Sequence, residues 1–168
     1  DVIALGEDVL GLHLRREPRF YACIAADRCY WRIGKDEGSV IRNYVVEARQ
    51  GERFGTTYTA IQSANPQNIN GYYLKKFLYS DLNSKNYFTS LKSQGDDPVP
   101  MMRMAELYLN LAECYAALGE ETNFLTEINA VRTRAGINAL TKTDISGGID
   151  DMTEWVHRER FIEFYGEG

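Results

Sequence analysis

The sequence has few of the residues that would build a disulfide-rich or metal-binding protein. It contains 3 cysteines, 2 histidines and 4 prolines in 168 residues. An odd number of cysteines at uneven spacing forms neither a disulfide framework nor a zinc signature. Cys23 and Cys29 could pair if a hairpin brought them together, although two separate buried thiols fit the usual behaviour of free cysteine better. We therefore expect no metal site.

Long apolar runs and excess positive charge are missing as well. No run of about 18 apolar residues is present, so no segment is predicted to cross a membrane. The 19 basic residues are outnumbered by 24 acidic ones, which gives a formal net charge of -5. Proteins that bind nucleic acid usually carry a basic patch that neutralises phosphates. The charge balance therefore argues against a nucleic-acid partner.

Catalytic motifs are also absent, including phosphate loops, GxGxxG, HExxH and GxSxG. His13 and His157 lie in no such motif, so we interpret them as surface or partly packed residues. The acidic pairs at 96–97 and 150–151 each precede a predicted helix, where carboxylates cap free N–H groups. A glycosidase would instead need two carboxylates about 5–10 Å apart in a cleft. We expect no catalytic residue and no cofactor.

The chain changes character near residue 95, without a low-complexity linker. Residues 1–95 are rich in loops and strands, whereas residues 96–168 are strongly helical in pattern. We interpret 1–168 as a single-domain fragment of a longer protein, because the chain begins at Asp1 without an initiator Met. In the first part we predict a short helix within 5–14, strands at 20–24, 28–33, 40–48 and 56–61, a loop at 63–71 and an extended segment at 72–79.

Apolar periodicity in the second part predicts three helices. The first follows the helix-start signal at 96–98, covers 102–118 and ends at Gly119 in a left-handed cap. The second is capped by Thr122 or Asn123 and runs to about 135, and the third is capped by Asp151 and runs to about 165. The first two have tetratricopeptide-like spacing, and one such unit cannot bury both of its faces alone.

Three of these segments resemble the helical motifs of the SusD/RagB family. They are MRMAELYLNLAE at 102–113, INAVRTRAG at 128–136 and VHRERFIEFYGEG at 156–168, in the family's order and spacing. Upstream, EPRFY at 17–21 and GYYLKKF at 71–77 resemble two further family segments. The resemblance covers about residues 15–168 and corresponds to the C-terminal part of a larger protein.

This resemblance implies a mainly α, SusD-like fold, with a tetratricopeptide-like helical hairpin and irregular loop- and β-containing segments. It also implies a surface-exposed outer-membrane lipoprotein that captures a glycan or other nutrient for a SusC-like TonB-dependent transporter. Such a protein is not an enzyme, and it touches the membrane only through a lipid anchor outside this fragment. A helical-repeat scaffold that binds a peptide or protein partner remains the alternative.

Aromatic residues are the candidate ligand contacts, because a sugar ring has an apolar C–H face that stacks on a flat ring. Trp31 and Tyr30 form the sharpest cluster, and Tyr72 and Tyr73 form a second pair. Adjacent residues on a strand point to opposite faces, so one residue of the first pair is expected in the core. Trp155 lies within the last predicted helix and is expected to pack in the core.

Two acidic residues of the last helix need a basic partner. Glu159 and Glu163 form an i,i+4 pair of like charge, which destabilises an isolated helix. We therefore predict that an arginine from another helix reaches one of them, with Arg103, Arg132 and Arg134 as candidates. A guanidinium–carboxylate bond between helices would fix their register, which is a structural role.

Overall fold

The computed structural model describes residues 8–35, 41–52, 55, 70–76 and 101–167. The chain divides into two compact units, residues 1–98 and 99–168. The fold is mainly helical, as predicted. The helices and strands are α1 Pro18–Cys23, β1 Ile24–Ala25, β2 Tyr30–Lys35, β3 Ile41–Val45, β4 Tyr73–Leu74, α2 Met104–Leu118, α3 Glu121–Arg134 and α4 Ile149–Glu163, with 3-10 helices at Gly11–His13 and Lys142–Ile145.

Several predicted segments lie outside the described residues. They are the strand at 56–61, most of the loop at 63–71, the end of the extended segment at 72–79 and the helix-start signal at 96–98. The short helix predicted within 5–14 is represented only by the 3-10 turn Gly11–His13, and residues 1–7 lie outside the described part.

The strand predicted at 20–24 is wrong, because α1 occupies this segment up to Cys23. Pro18 stands at the first helical position, where its fixed φ suits the helix and its missing N–H is not needed. Glu17 before it is extended, with φ -62° and ψ 155°, as the residue before a proline prefers. The proline therefore starts a short helix here, although the aromatic residues that follow favour a strand.

The strands of the first unit form two antiparallel pairs. β1 pairs with β4 in the register Ile24 to Leu74 and Ala25 to Tyr73. β2 pairs with β3, and the register shifts between Arg32 and Lys35. The strands predicted at 28–33 and 40–48 are thus confirmed in position, and β4 occupies two residues of the segment predicted as extended.

The second unit consists of the α2–α3 hairpin, with α4 packed against both helices. Gly119 ends α2 at φ 70°, the left-handed conformation predicted for it, and its N–H donates to the Ala116 carbonyl at 3.0 Å. One face of each helix supplies a shared apolar core. The buried residues of this core are Ala105, Leu109, Ala112, Ala116, Phe124, Ile128, Val131, Leu140, Ile145, Met152 and Val156.

The predicted start of α3 is wrong. The helix begins at Glu121 with Glu120 as its N-cap, so Thr122 and Asn123 lie inside its first turn. Because only Gly119 and Glu120 separate the two helices, the chain enters α3 before either predicted cap is reached. The Asn123 amide instead donates to Glu120 Oε2 at 2.5 Å.

The predicted capping role of Asp151 is also wrong. Gly148 is the N-cap of α4, at φ 72° and ψ -130°, a conformation that glycine adopts far more readily than other residues. Asp151 lies in the first turn, where its Oδ2 accepts the Gly147 N–H at 2.6 Å. An Asp–Thr pair is found instead at the preceding 3-10 turn, where Asp144 Oδ2 accepts the Thr141 N–H at 2.7 Å.

Candidate ligand-binding site

The aromatic residues predicted to contact a ligand all belong to the first unit. Tyr30 and Trp31 begin β2, registered opposite Val45 and Tyr44 of β3. Tyr73 lies on β4, where it is partly buried, and burial raises the pKa of its phenol. The structure describes the side chains of Tyr72 and Tyr73, and it describes only the backbone of the first pair.

Tyr72 is held by a buried histidine. His13 is 3% exposed, so it is more deeply packed than the sequence suggested. Its Nε2 lies 3.1 Å from the Tyr72 hydroxyl and its Nδ1 lies 3.3 Å from the Asp27 carbonyl oxygen. A carbonyl only accepts, so Nδ1 is the donor in its hydrogen bond to Asp27. The two rings also meet edge to face at 5.5 Å.

The 3-10 turn that carries His13 is fixed by α1. The Tyr21 hydroxyl donates to the His13 carbonyl at 2.7 Å and accepts the Arg16 N–H at 3.1 Å. The ring centres of Phe20 and Tyr21 lie 5.3 Å apart, and the two rings meet edge to face. These contacts tie the residues before α1 to the helix. The position of the Tyr72 ring is therefore set by packing, and a ring fixed in this way loses less entropy when a ligand binds.

A buried carboxylate organises the opposite side of this histidine. Asp27 is 5% exposed and accepts the Arg49 Nε at 2.8 Å and the Ala48 N–H at 3.0 Å. Arg49 also bonds to Asp8 Oδ2 at 2.6 Å. Because a buried carboxylate is costly unless it is paired, these bonds hold the segment after β3 against the turn after β1.

The residue after Asp27 takes an uncommon backbone conformation. Arg28 has a φ of 63°, in the left-handed region that favours glycine. Its guanidinium bonds to the Glu52 carboxylate, and this hydrogen bond holds the pKa of Glu52 below its usual range. Glu52 also accepts the Arg49 N–H at 2.9 Å.

Lys75 connects β4 to α1. Its Nζ donates to the Tyr21 carbonyl at 2.9 Å, and burial lowers the pKa of its ammonium group. The Lys75 N–H donates to the Cys23 carbonyl at 2.7 Å. Cys29 is buried and Cys23 partly buried, and the structure joins neither in a disulfide.

We expect Tyr72→Phe to destabilise the first unit by about 1–3 kcal/mol. The change removes the hydroxyl that partners a buried ring nitrogen of His13, while the ring itself remains. The measurement is urea unfolding followed by circular dichroism. Equal free energies of unfolding for Tyr72→Phe and the natural protein would show that this hydrogen bond does not stabilise the first unit.

The predicted arginine partners lie next to the acidic residues of α4. Arg132 of α3 donates from Nη1 to Glu159 Oε2 at 2.7 Å, and Glu159 is 1% exposed. Glu163 Oε1 accepts a hydrogen bond from Arg103 Nη1 at 2.6 Å, and the same carboxylate bonds to Arg134 of α3. Both carboxylates are buried, so these bonds hold α4 against the hairpin, which is a structural role.

Trp155 is partly buried against the core of the second unit, where the sequence analysis expected it. Its indole Nε1–H donates to the Asp144 carbonyl at 2.9 Å. The Arg132 and Arg158 guanidinium groups lie 5.3 and 5.4 Å from its ring centre, within the range of cation–π contacts.

A cleft opens beside Arg103 and Arg134, between the start of α2 and the end of α3. Its volume is about 220 Å³. The lining residues are Arg103, Met104, Ala105, Tyr108, Ala130, Val131 and Arg134. The lining combines apolar side chains with the guanidinium groups of Arg103 and Arg134, and both of these groups already bond to Glu163.

The part of the chain that the structure describes holds neither a metal cluster nor a helix that could span a membrane. Within 8–35, 41–52, 55, 70–76 and 101–167, no three histidine, cysteine or acidic side chains are grouped closely enough to hold a metal ion. Of the helices in those same segments, none has the length and apolarity that crossing a bilayer requires.

The observed elements define the fold class as a tetratricopeptide-like hairpin closed by a third helix, together with a unit of short strand pairs. The family model described as the SusD family matches residues 4–168. The chain therefore belongs to the SusD family.

A solved structure supports this assignment. The chain is similar to a SusD-like protein from Bacteroides fragilis, with 25% identity and a TM-score of 0.61. The match covers 94% of this chain and 27% of that one, so the chain spans about a quarter of that relative's length. A search of curated proteins found no match.

Proposed function

We propose that this chain is part of a surface protein that binds a glycan or a related nutrient and delivers it to a TonB-dependent outer-membrane transporter. The observation that carries the proposal is the SusD family match over residues 4–168. The similarity to a SusD-like protein of Bacteroides fragilis supports it. The same family membership supports a location at the outer membrane through a lipid anchor and a SusC-like transporter as partner.

The proposed ligand contacts are Trp31, Tyr30, Tyr72 and Tyr73. Each offers a flat apolar ring that can cover the C–H face of a sugar, and a polar edge that can meet its hydroxyls. The Tyr72 ring is anchored by His13 before any ligand arrives. A fixed aromatic surface of this kind gives affinity without a conformational change.

The proposed role is binding without chemistry. The acidic residues at 150–151 lie in the first turn of α4, where they meet the positive end of the helix. Glu159 and Glu163 are buried in ion pairs. We therefore expect purified protein to leave every bound glycan intact, as judged by chromatography of the ligand after long incubation.

We expect Trp31→Ala to weaken binding about tenfold or more, because aromatic anchors dominate recognition surfaces. The ligand is first found by screening the natural protein on a glycan array, and affinities are then measured by calorimetry. Tyr165→Ala, in the second unit, is the matched control and should bind as the natural protein does. No loss in Trp31→Ala would remove Trp31 as a ligand contact, and a full loss in the control would show that binding does not depend on the first unit alone.

The alternative function is a scaffold that binds a peptide, and the cleft between α2 and α3 is the observation that favours it. Arg134→Ala distinguishes the two proposals, because this side chain lines the cleft and is 60% exposed. Under the glycan proposal the variant binds glycan normally. Peptide binding that disappears with Arg134→Ala would favour the scaffold.

A further inference from the structure

An asparagine followed by a glycine occurs once in the sequence, at Asn70 and Gly71. In the structure these two residues form a bend directly before Tyr72 and β4. The Asn70 side chain is exposed, and Gly71 has a φ of 71°, in the left-handed region. Glycine has no Cβ, so its backbone nitrogen can be approached closely. The bend therefore places a solvent-exposed side-chain amide next to an unhindered backbone nitrogen.

The side chain of Asn70 is folded along the main chain that follows it. Its Oδ1 accepts the Tyr72 N–H at 3.1 Å, the bond that asparagine commonly makes to the backbone two residues ahead. Gly71 lies inside the ring that this hydrogen bond closes. The carbonyl carbon of the Asn70 side chain is thereby turned toward the Gly71 nitrogen.

The same hydrogen bond prepares this carbonyl for attack. When a nucleophile adds to Asn70 Cγ, negative charge develops on Oδ1, the atom that already accepts the Tyr72 N–H. A backbone N–H about 2.7–3.1 Å from a developing oxyanion stabilises the transition state. The Tyr72 hydroxyl lies 3.1 Å from the buried ring of His13, and Tyr73 pairs with Ala25 in the sheet. The donor is therefore held in place by contacts on both sides.

We propose that Asn70 is a site of spontaneous covalent modification, in which a succinimide ring forms with Gly71 and water opens it to aspartate or isoaspartate. The Gly71 nitrogen loses its proton to solvent base and forms a bond to Asn70 Cγ. The bond from Cγ to the side-chain nitrogen breaks, and that nitrogen leaves as ammonia. Water then adds to one ring carbonyl and breaks its bond to the ring nitrogen. Water is the co-reactant, and no electrons are transferred.

The modification changes the main chain beside two aromatic residues. Either product replaces a neutral amide with a carboxylate, and isoaspartate also adds one carbon to the main chain ahead of Tyr72 and Tyr73. Both effects act where β4 begins its pairing with β1. The inference rests on the geometry of this bend and is independent of the proposed glycan binding.

The test follows the reaction in the complete natural polypeptide, folded and kept in mildly alkaline buffer made with heavy-oxygen water. The label enters a residue only when a succinimide ring opens, and peptide mass spectrometry with electron-transfer fragmentation separates aspartate from isoaspartate. We expect label at position 70, mostly as isoaspartate, at a rate that rises with pH because the attacking nitrogen must lose its proton. The folded polypeptide should react at least as fast as the same chain unfolded in urea.

Asn138 is the matched control within the same molecule. It is exposed in a loop, but Ala139 follows it, and the Cβ of alanine hinders approach to the backbone nitrogen. We expect Asn70 to react at least about tenfold faster than Asn138, a difference of about 1.4 kcal/mol in activation free energy. Asn70→Gln should acquire no label at position 70, because its longer side chain would have to close a larger ring.

Two variants of Tyr72 test the role of its backbone N–H. Tyr72→Ala and Tyr72→Pro both lose the ring and its contact with His13, but only the proline variant also loses the N–H. We expect Asn70 to react more slowly in Tyr72→Pro than in Tyr72→Ala, with circular dichroism used to check that both variants are folded. If the proline variant does not fold, the comparison of folded and urea-unfolded natural polypeptide decides the question.

Three results would overturn the proposal. An intact Asn70 in the folded polypeptide, with reaction only in urea, would show that the fold protects this bend. Equal rates at Asn70 and Asn138 would show that the bend has no special reactivity. Equal rates in folded Tyr72→Pro and Tyr72→Ala would show that the hydrogen bond to Oδ1 does not promote the attack.

Discussion

Arg132→Ala is expected to lower the free energy of unfolding of the helical unit by about 3–5 kcal/mol, because it removes one partner of a buried ion pair. The Arg132 Nη1–Glu159 Oε2 distance is 2.7 Å, and Glu159 is 1% exposed. Arg132 also donates from Nε to the Asn138 carbonyl at 3.0 Å, so the variant loses a second bond that holds the chain after α3. The measurement is equilibrium unfolding in urea, monitored at 222 nm by circular dichroism.

Two further variants separate the ion pair from general effects of losing an arginine. Arg158→Ala removes an exposed guanidinium that stacks on the same Trp155 ring at 5.4 Å, and should cost no more than about 1 kcal/mol. The double variant Arg132→Met with Glu159→Leu should recover most of the stability, since apolar residues of similar volume often replace a buried ion pair without loss. A loss below about 1 kcal/mol in Arg132→Ala would show that the carboxylate is not dependent on this guanidinium.

Phe124→Ala is expected to destabilise the same unit by about 3–5 kcal/mol, because it leaves a cavity in a close-packed interior. Among the residues whose side chains the structure describes, Phe124 is the largest that is fully buried, at 0% exposure. The tetratricopeptide-like pattern usually has a small residue at this position, so a substitution toward that pattern would here remove the centre of the core. Unfolding in urea measures the loss.

The control for this variant is Phe161→Ala on α4, where the side chain is 81% exposed. Its effect should stay within about 0.5 kcal/mol, as is usual for surface positions. Phe124→Leu should lie between the two, since it keeps most of the apolar volume. If Phe124→Ala were as stable as the natural protein, the hairpin would have to collapse around the missing ring.

The helices of the second unit follow from local signals in the sequence. Apolar spacing of 3 and 4 residues marks the buried faces of α2, α3 and α4, and Gly119 ends α2 because glycine adopts the left-handed conformation at little cost. The paired carboxylates at Glu159 and Glu163 likewise indicate that an arginine must lie near them. Which arginine reaches which carboxylate depends on how the helices pack, and only the structure gives it.

The first unit is less predictable because its contacts join residues far apart in the chain. A strand was predicted where α1 forms, since aromatic residues favour strands and Pro18 acts through the backbone alone. His13 shows no motif in the sequence, although its ring lies between Asp27 and Tyr72, 14 and 59 residues away. No local pattern in the sequence would have identified either partner.

The sequence by itself determined the helical hairpin and the need for a basic partner at the acidic face of the last helix, because these depend on periodicity and on charge within one or two turns. It indicated the family through the resemblance of three helical motifs. The tertiary structure alone decided that His13 anchors Tyr72, that Arg132 meets Glu159 and that α2 keeps an apolar stripe exposed. These features require segments distant in the chain to come together. Burial and ion pairing stabilise these features, and both depend on three-dimensional packing that cannot be read from the sequence.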